Sequence, residues 1–555
     1  MRTPWGSSLV VAAGALATAG AQAQRTIRVP SQIGTIQAAI QAAQTGDTVL
    51  VARGTYSEAL DFLGKGVRVV SEAGPALTIL DGGRVRSVVS FVRSETRRAV
   101  LEGFTIANGR SLDVGGGVRV AGASPTLLGN VIRDCVACAS GGGVVVQGGS
   151  PLLLRNQLLR NRQSGCPGGL GGGVAIVGAG AAVLEANLLD GNSADNGGGI
   201  ALVDAGTPTV LDNQLRGNVA GSGAGGGIVV LNASDPLLVQ NTLVANRALQ
   251  SGGGVSWLVP NGSRGPILAN NTFVDNDCRN GGALFADGFD LAALVVNNVM
   301  VSALAGQTVL VVGRFGDGAL PVIQCNDVFS PAGRGYGGLA PDLTGLLGNL
   351  AVDPGFVDPR AADFRLRLDS RCVDAGLAGV PGQQATDPDG DDRVIDGDGD
   401  GRAVIDMGAD EFAPLRGFGV GCAGSGGYVP RARGIGGAPV RGNLGFGIGL
   451  DQALGGTDAI LLIGASDQSW RGLALPFALR DFGLPDCALQ VSLDGSVAVR
   501  TVGRGAGFGS ASALLGVPAD ANLRGLVVFV QWWVVDPGPG PVPAALSAPL
   551  RIQVL

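Results

Sequence analysis

The chain has 555 residues, 46% hydrophobic and 15% charged, with a formal net charge of −6 and a pI near 4.9, a balance that argues against nucleic acid as a partner. Histidine is absent, which removes Ser-His-Asp and Cys-His catalysis and every His-ligated zinc site. Lys65 is the sole lysine, which nearly excludes Schiff-base chemistry and a Walker lysine, so any enzyme built from this chain works with Asp, Glu, Arg, Tyr, Cys or bound metal.

Arg2, the apolar stretch 9–19 and Ala21-Gln22-Ala23 read as a charged n-region, an h-region and an A-x-A cleavage site. The expectation is a signal peptide over 1–23 and a secreted or cell-surface protein. Elsewhere glycine interrupts every apolar run well short of 18 residues, so no transmembrane segment is expected. In an exported chain the eight cysteines are potential disulfides. Residues 35–43 then predict a short amphipathic helix, followed by a strand over 48–51. A helix there would cap the open end of a stack and cover its unpaired strand edges.

Glycine supplies 96 positions, about 17% against a usual value near 7%. Its triplets recur, starting at Gly115, Gly141, Gly171, Gly197, Gly225 and Gly252, with the variant Gly281-Gly282-Ala283, at spacings of 26–30 residues. Asn130, Asn156, Asn187, Asn213, Asn241, Asn271 and Asn298 keep step, and five residues beyond most of them stand Asn161, Asn192, Asn218, Asn246 and Asn276, with Cys135 in the first coil. A period of this length means a solenoid, propeller or array. Short β-branched runs split by Gly, Asn, Asp and Ser are strand–turn–strand units, not helices. The fold class expected is all-β: a right-handed parallel β-helix with inward asparagine ladders over 24–413, then an antiparallel β-sandwich over 416–555.

The segments TIQAAIQAAQTGDTVLVARGTYSE and LEGFTIANG, with the GGGV…N repeats, resemble the right-handed parallel β-helix proteins of the pectin-lyase-like class over about 25–413. That class includes polysaccharide lyases, hydrolases and epimerases as well as secreted surface proteins, so the resemblance implies fold and leaves activity to a site. Residues 353–412, with Asp374-Ala375-Gly376, Asp387-Pro388-Asp389-Gly390, Arg393 and Asp406-Met407-Gly408-Ala409-Asp410-Glu411, resemble the choice-of-anchor Q domain that closes β-helices in secreted bacterial proteins. The part after Pro414 resembles a C-terminal module of large secreted bacterial proteins.

Asp387, Asp389 and Asp391 alternate, as do Asp396, Asp398 and Asp400. The second set opens like a calcium loop, but Met407 stands where its bidentate Glu belongs. Two readings stand side by side: these six aspartates bind Ca2+, or they form a solvated acidic turn built on Asx-turns. In the module, 489–493 and 497–501 flank Asp494-Gly495, a hairpin signal, and 526–535 is one apolar strand with Trp532 and Trp533. With Trp470 these aromatics read as core or as a sugar-stacking platform.

Coil spacing constrains the thiols, because a bridge needs Cα atoms within about 7 Å. Cys138 is expected to pair with Cys166 (Cys135 being the alternative), Cys422 with Cys487 and Cys325 with Cys372. Cys278 stays a thiol, and a Cys135-x-x-Cys138 redox pair is the rival. Two outward columns are expected on the strands after the triplets: Arg119, Val145, Ala175, Ala201, Val229, Ser256 and Leu284, then Ala121, Gln147, Val177, Val203, Leu231, Leu258 and Ala286. Neither offers a carboxylate cluster, so that face is covered or a contact surface. Beside the asparagines lie Arg133, Asp134, Arg155, Arg160, Asp190, Asp212, Arg216, Asp275 and Asp277, either a solvated charge ladder or Arg-base, Asp-calcium lyase chemistry. The reading that follows is a secreted or surface protein with a structural, adhesive or carbohydrate-binding role and an extracellular polysaccharide or cell-surface partner, without an identifiable catalytic site. The alternative is a lyase, hydrolase or epimerase acting on acidic polysaccharide.

Overall fold

The computed structural model describes residues 24–259, 265–288, 293–313, 320–537 and 542–555, and the expected leader lies outside them. The repeats form a right-handed parallel β-helix. One sheet has twelve strands, from Thr26–Val29 to Val322–Gln324; a second has eleven, from Gly54–Tyr56 to Asp327–Phe329; a third has eleven, from Leu60–Asp61 to Arg334–Gly338. A fourth ladder of six two-residue strands runs from Arg110–Ser111 to Arg247–Ala248. Like sits on like: Leu127 is in register with Leu153, Leu153 with Leu184, Leu184 with Val210 and Val210 with Leu238. All are buried in one core that runs the length of the stack, with each strand's alternate residues pointing out.

Both asparagine columns are present and buried. Each Nδ2 donates to the Oδ1 of the next coil, as from Asn187 to Asn213 at 2.9 Å and from Asn213 to Asn241 at 3.0 Å. The second column does the same from Asn161 through Asn192, Asn218 and Asn246 to Asn276. The first column runs further than the glycine period reveals, through Asn326 to Asn349.

The predicted helix spans Ile36–Ala42, with Thr35 as its N-cap, and buries Ile36, Ala39 and Ile40 against the first coil. Glu58 accepts the backbone N–H groups of Ile36 and Gln37, two of the donors that a helix start leaves unpaired. Lys65 Nζ donates to the carbonyls of Ile40, Gln41 and Ala43 at the other end, a cation placed where a helix C-terminus favours it.

At the far end Ala340 and Leu343 pack on the solenoid core and Asn349 is the last rung. The aspartate-rich segment, expected at the closure, lies along the flank. Phe356, Leu366, Val373, Met407 and Phe412 cover the outward Val274 and Val299 of the second sheet, and Val380 covers Leu211, Val239, Ile267, Ala269 and Val296 of the first. Backbone groups fasten it: Asn297 exchanges hydrogen bonds with Leu377, and Thr272 Oγ1 accepts from Ala409 N.

The terminal module packs a six-stranded antiparallel sheet on a three-stranded one, with Phe446, Ile448, Leu461, Val530 and Trp532 between them. The apolar strand is Val527–Val534, central in the larger sheet. The expected hairpin around Asp494-Gly495 does not form. Gly495–Arg500 pairs with Asp458–Gly464 and Ala488–Leu489 with Phe477–Ala478, while Asp494 Oδ2 accepts from Ala465 N and Ser492 Oγ. A distant strand supplies a longer ladder than the local turn could.

Cys138 is bonded to Cys166 and Cys422 to Cys487, each with Cα atoms 5.1 Å apart; the first bond removes the redox-pair reading. Cys325 and Cys372 are free thiols, as are Cys135 and Cys278. Cys372 is buried with its Sγ 3.7 Å from Asp327 Oδ2, and that carboxyl takes the place of a sulfur partner.

Asp327 is fully buried, and burial pushes its pKa up to about 7. A carboxyl raised in the fold binds its proton more tightly there than in the unfolded chain. Its contribution is therefore present below the unfolded value near 3.9 and is lost as pH rises through about 7, on the order of 4 kcal/mol in total. Asp47 has the opposite sign. The Arg25 side chain and backbone N–H groups hold it at about 2, so its contribution is lost only in strong acid. The melting temperature should peak near pH 4 and fall steadily to about pH 7, and Asp327→Asn should flatten this falling limb. An unchanged limb in that variant would remove Asp327 from the account.

Candidate functional site

The register settles the outward columns. Val118 and Val120 point inward and Arg119 is exposed, but its partners Val145, Ala175, Ala201 and Val229 are fully buried. Val114 and the flanking Ala139 and Leu170, from the loops that precede the triplets, pack on Val145 and Ala175. The first column is thus covered from Val145 to Val229, whereas the second is not: Gln147 and Leu258 are exposed, and Ala121, Val177, Val203 and Leu231 are half-buried. The last coil corrects the expected column by one residue: Leu284 pairs with inward Val255, so Phe285 and Asp287 point out in place of Leu284 and Ala286.

The charges beside the asparagines pair with one another or close turns. Asp134 bridges Arg133 at 2.8 Å and Arg160 at 3.1 Å, and Arg247 bridges Asp277 at 3.4 Å. Asp275 Oδ1 accepts from Ala303 N and Asp212 Oδ1 from Gln240 Nε2. Burial pushes Asp212 up to about 6. Arg155 and Asp190 stand exposed, and Arg216 donates to Gln214.

The six predicted metal aspartates separate. Asp387 is buried, with Oδ1 accepting from Asp389 N and Asp391 N and Oδ2 from Glu411 N. Asp389 and Asp391 are ion-paired to Arg416. Asp396 accepts from Gly399 N and Gly401 N, Asp398 from Asp400 N and Asp400 from Arg402 N, the Asx-turns of the rival reading. Asp396 and Asp398 also meet Asp374: one carboxylate oxygen of each lies within 4.8 Å of the others. Asp374 Oδ2 takes the N–H groups of Gly397 and Asp398, while burial, with Asp398 adding, pushes its pKa to about 6. Three clustered hard oxygens, with carbonyls and water to add, suit Ca2+. Asp374 stands 22 residues before Asp396, and no spacing rule marks it.

Behind this loop Arg393 is fully buried, donating to the carbonyls of Asp406, Gly408 and Ala409 and lying 3.5 Å from Glu411. Burial raises the pKa values of Asp406, Asp410 and Glu411. Arg393 lies beside Glu411, and Arg416 pairs with Asp410.

Between flank segment and module lies a cleft of about 990 Å³, lined by Arg365, Arg367, Arg416, Arg524, Arg551, Phe418 and Phe529 among others. A second groove, about 490 Å³ and almost wholly apolar, is bounded by Trp470, Phe477, Phe482 and Trp533. Trp532 is core, its Nε1 donating to the Gly449 carbonyl. Trp470 and Trp533 thus face an apolar groove that lacks the polar groups a sugar ring needs. The arginines of the larger cleft come from positions 365 to 551, so only tertiary structure assembles it.

A family model described as a right handed beta helix region matches residues 87–248. Among solved structures the chain is similar to the pectate lyase Pel9A, at 15% identity over 71% of this chain and 98% of that one, with a TM-score of 0.35. It is also similar to the PL6 family alginate lyase AlyGC, at 12% identity over 66% and 60% with a TM-score of 0.28. Geobacillus virus E2 ORF18 follows at 14% identity over 55% and 61%, with a TM-score of 0.26. No curated protein matches the chain.

Proposed function

We propose that the protein is an exported or cell-surface β-helix protein with a structural, adhesive or carbohydrate-binding role. The observation that supports this most is the covering of the solenoid. The loops before the triplets cover Val145 and Ala175 of the third sheet, and the flank segment covers the first sheet from Leu211 to Val296 and the second at Val274 and Val299. Most of the charge ladder from Arg133 to Asp277 is occupied by ion pairs and turn hydrogen bonds, each worth at most ~1 kcal/mol at the surface, with Arg155 and Asp190 exposed. A rigid rod whose open outward columns carry no carboxylate cluster suits display and binding. Incubation of the full chain with neutral and acidic polysaccharides, with and without calcium, tests the reading: retention on a glycan without new reducing ends or unsaturated products is expected. Turnover of an acidic polysaccharide would replace it with the lyase, hydrolase or epimerase alternative.

Calcium at Asp374, Asp396 and Asp398 belongs to the same proposal, as a brace for the flank loop. Calcium should raise the melting temperature and EDTA should lower it, and Asp398→Asn should abolish the difference. A melt indifferent to both, from protein purified without metal, would leave the Asx-turn reading.

A further inference from the structure

The junction cleft carries chemistry that the covered solenoid faces lack. Its walls come from two units: Arg365 from the flank segment, and Arg416, Arg524 and Arg551 from the module. Two of these are committed to the flank segment's acids, Arg365 to Asp363 and Arg416 to Asp389, Asp391 and Asp410. Arg551 is half-buried and its side chain donates to Gln553 Oε1 at 2.8 Å. Neither Arg551 nor Arg524 has an ion pair among the described residues. Burial, and then the nearby Arg365, lower the Arg551 pKa. A partly desolvated guanidinium facing another cation is costly until an anion arrives.

We propose that this cleft binds an acidic sugar, seating its carboxylate or sulfate on Arg551 and Arg524. The proposal rests on the binding role argued above and gives it a site and a ligand class. A planar guanidinium presents paired N–H donors that match both anions in bidentate fashion. Phe418 and Phe529, edge to face with centroids 5.8 Å apart, offer apolar surface to the C–H face of a sugar ring. Asp467, on the same lining, offers an acceptor to a hydroxyl. Asp369, Asp389, Asp410 and Glu411 also line the cleft but are paired to Arg367, Arg416 and Arg393, and Asp467 acts on Arg551 electrostatically, which leaves Arg524 and Arg551 as the guanidiniums without an ion pair beside an apolar floor. The cleft has the size and the inter-unit position of ligand sites in general.

The test is calorimetric titration of the full chain with a uronic-acid oligomer, a sulfated oligomer and a neutral oligomer of similar length. The uronate and sulfate arms tell which anion the arginines take. Wild type should bind at least one acidic oligomer and favour it over the neutral one, with affinity falling as salt rises. Arg551→Gln should weaken it by about tenfold or more, the loss of one charge-assisted contact, and the double variant with Arg524→Gln further. Arg524 is exposed, so R524Q alone probes the site without risk to the fold, and an unchanged melting temperature certifies each variant. Acidic binding that both variants leave intact overturns this site while the binding role survives, and so does preference for the neutral oligomer. Cleavage of the oligomer overturns the non-catalytic role and not the anion seat.

Discussion

Asn213→Leu should lower the denaturation midpoint sharply, with a loss on the order of 4 kcal/mol. Asn213 Oδ1 accepts both the backbone N–H and the Nδ2 of Asn187, and its own Nδ2 donates to Leu184 O, Leu211 O and Asn241 Oδ1. Leucine has nearly the same volume, so the loss is electrostatic: it strands the Asn187 N–H in an interior where water does not reach, at roughly 1–3 kcal/mol per unpaired group. The neighbouring Gln214 is exposed, and Gln214→Leu should fall within about 0.5 kcal/mol of wild type. Equal midpoints for the two variants would show that the column does not hold the coils together.

Gly172→Ala should cost still more in proportion to the atoms changed, about 3 kcal/mol or above, and soluble yield should drop with it. An added Cβ would lie 2.4 Å from both Gly198 O and Ser193 N and 2.5 Å from Ser193 O. These are backbone atoms of the next coil, held in ladders that cannot yield separately. The preceding Gly171 sits at φ +64°, where a side chain is strained even in open space. The triplet therefore joins a turn that needs a left-handed residue to a crossing that admits no side chain. Gly34→Ala is the control, since its Cβ would meet nothing within 4 Å. Equal stability of Gly172→Ala and Gly34→Ala would remove the packing account of the triplets.

What the sequence discloses is whatever repeats. The coil period, the inward asparagines, the helix at 36–42 and two disulfides are legible because each is local or recurs with the same geometry. The first asparagine column runs past Asn298 unseen, because Asn326 and Asn349 have no glycine triplet to mark time. The flank position of the aspartate-rich segment is not legible at all. Its anchors, Asn297 to Leu377 and Thr272 to Ala409, join residues of one repeat to residues that occur once. The same holds for the candidate sites. Asp396 and Asp398 announce themselves by alternation, but Asp374 joins them only through a chain reversal, and the arginines of the junction cleft span nearly two hundred residues (365 to 551). The failed hairpin at Asp494-Gly495 shows the reverse case, in which a strong local signal gives way to a distant strand offering more backbone partners.

The asparagine columns also give the rod a direction. From Asn130 to Asn349, and from Asn161 to Asn276, each Nδ2 donates toward the C-terminal end. The amide dipoles add instead of cancelling, and each bond polarises the next. One end of the first column turns an acceptor outward, met by Phe104 N, and the other ends on Asn349, whose Nδ2 donates back to Ile323 O of the preceding coil and to Leu346 O. Coils grafted from another such rod can therefore join only head to tail. A reversed segment would set donor against donor at its first rung, however well its apolar ladder matched.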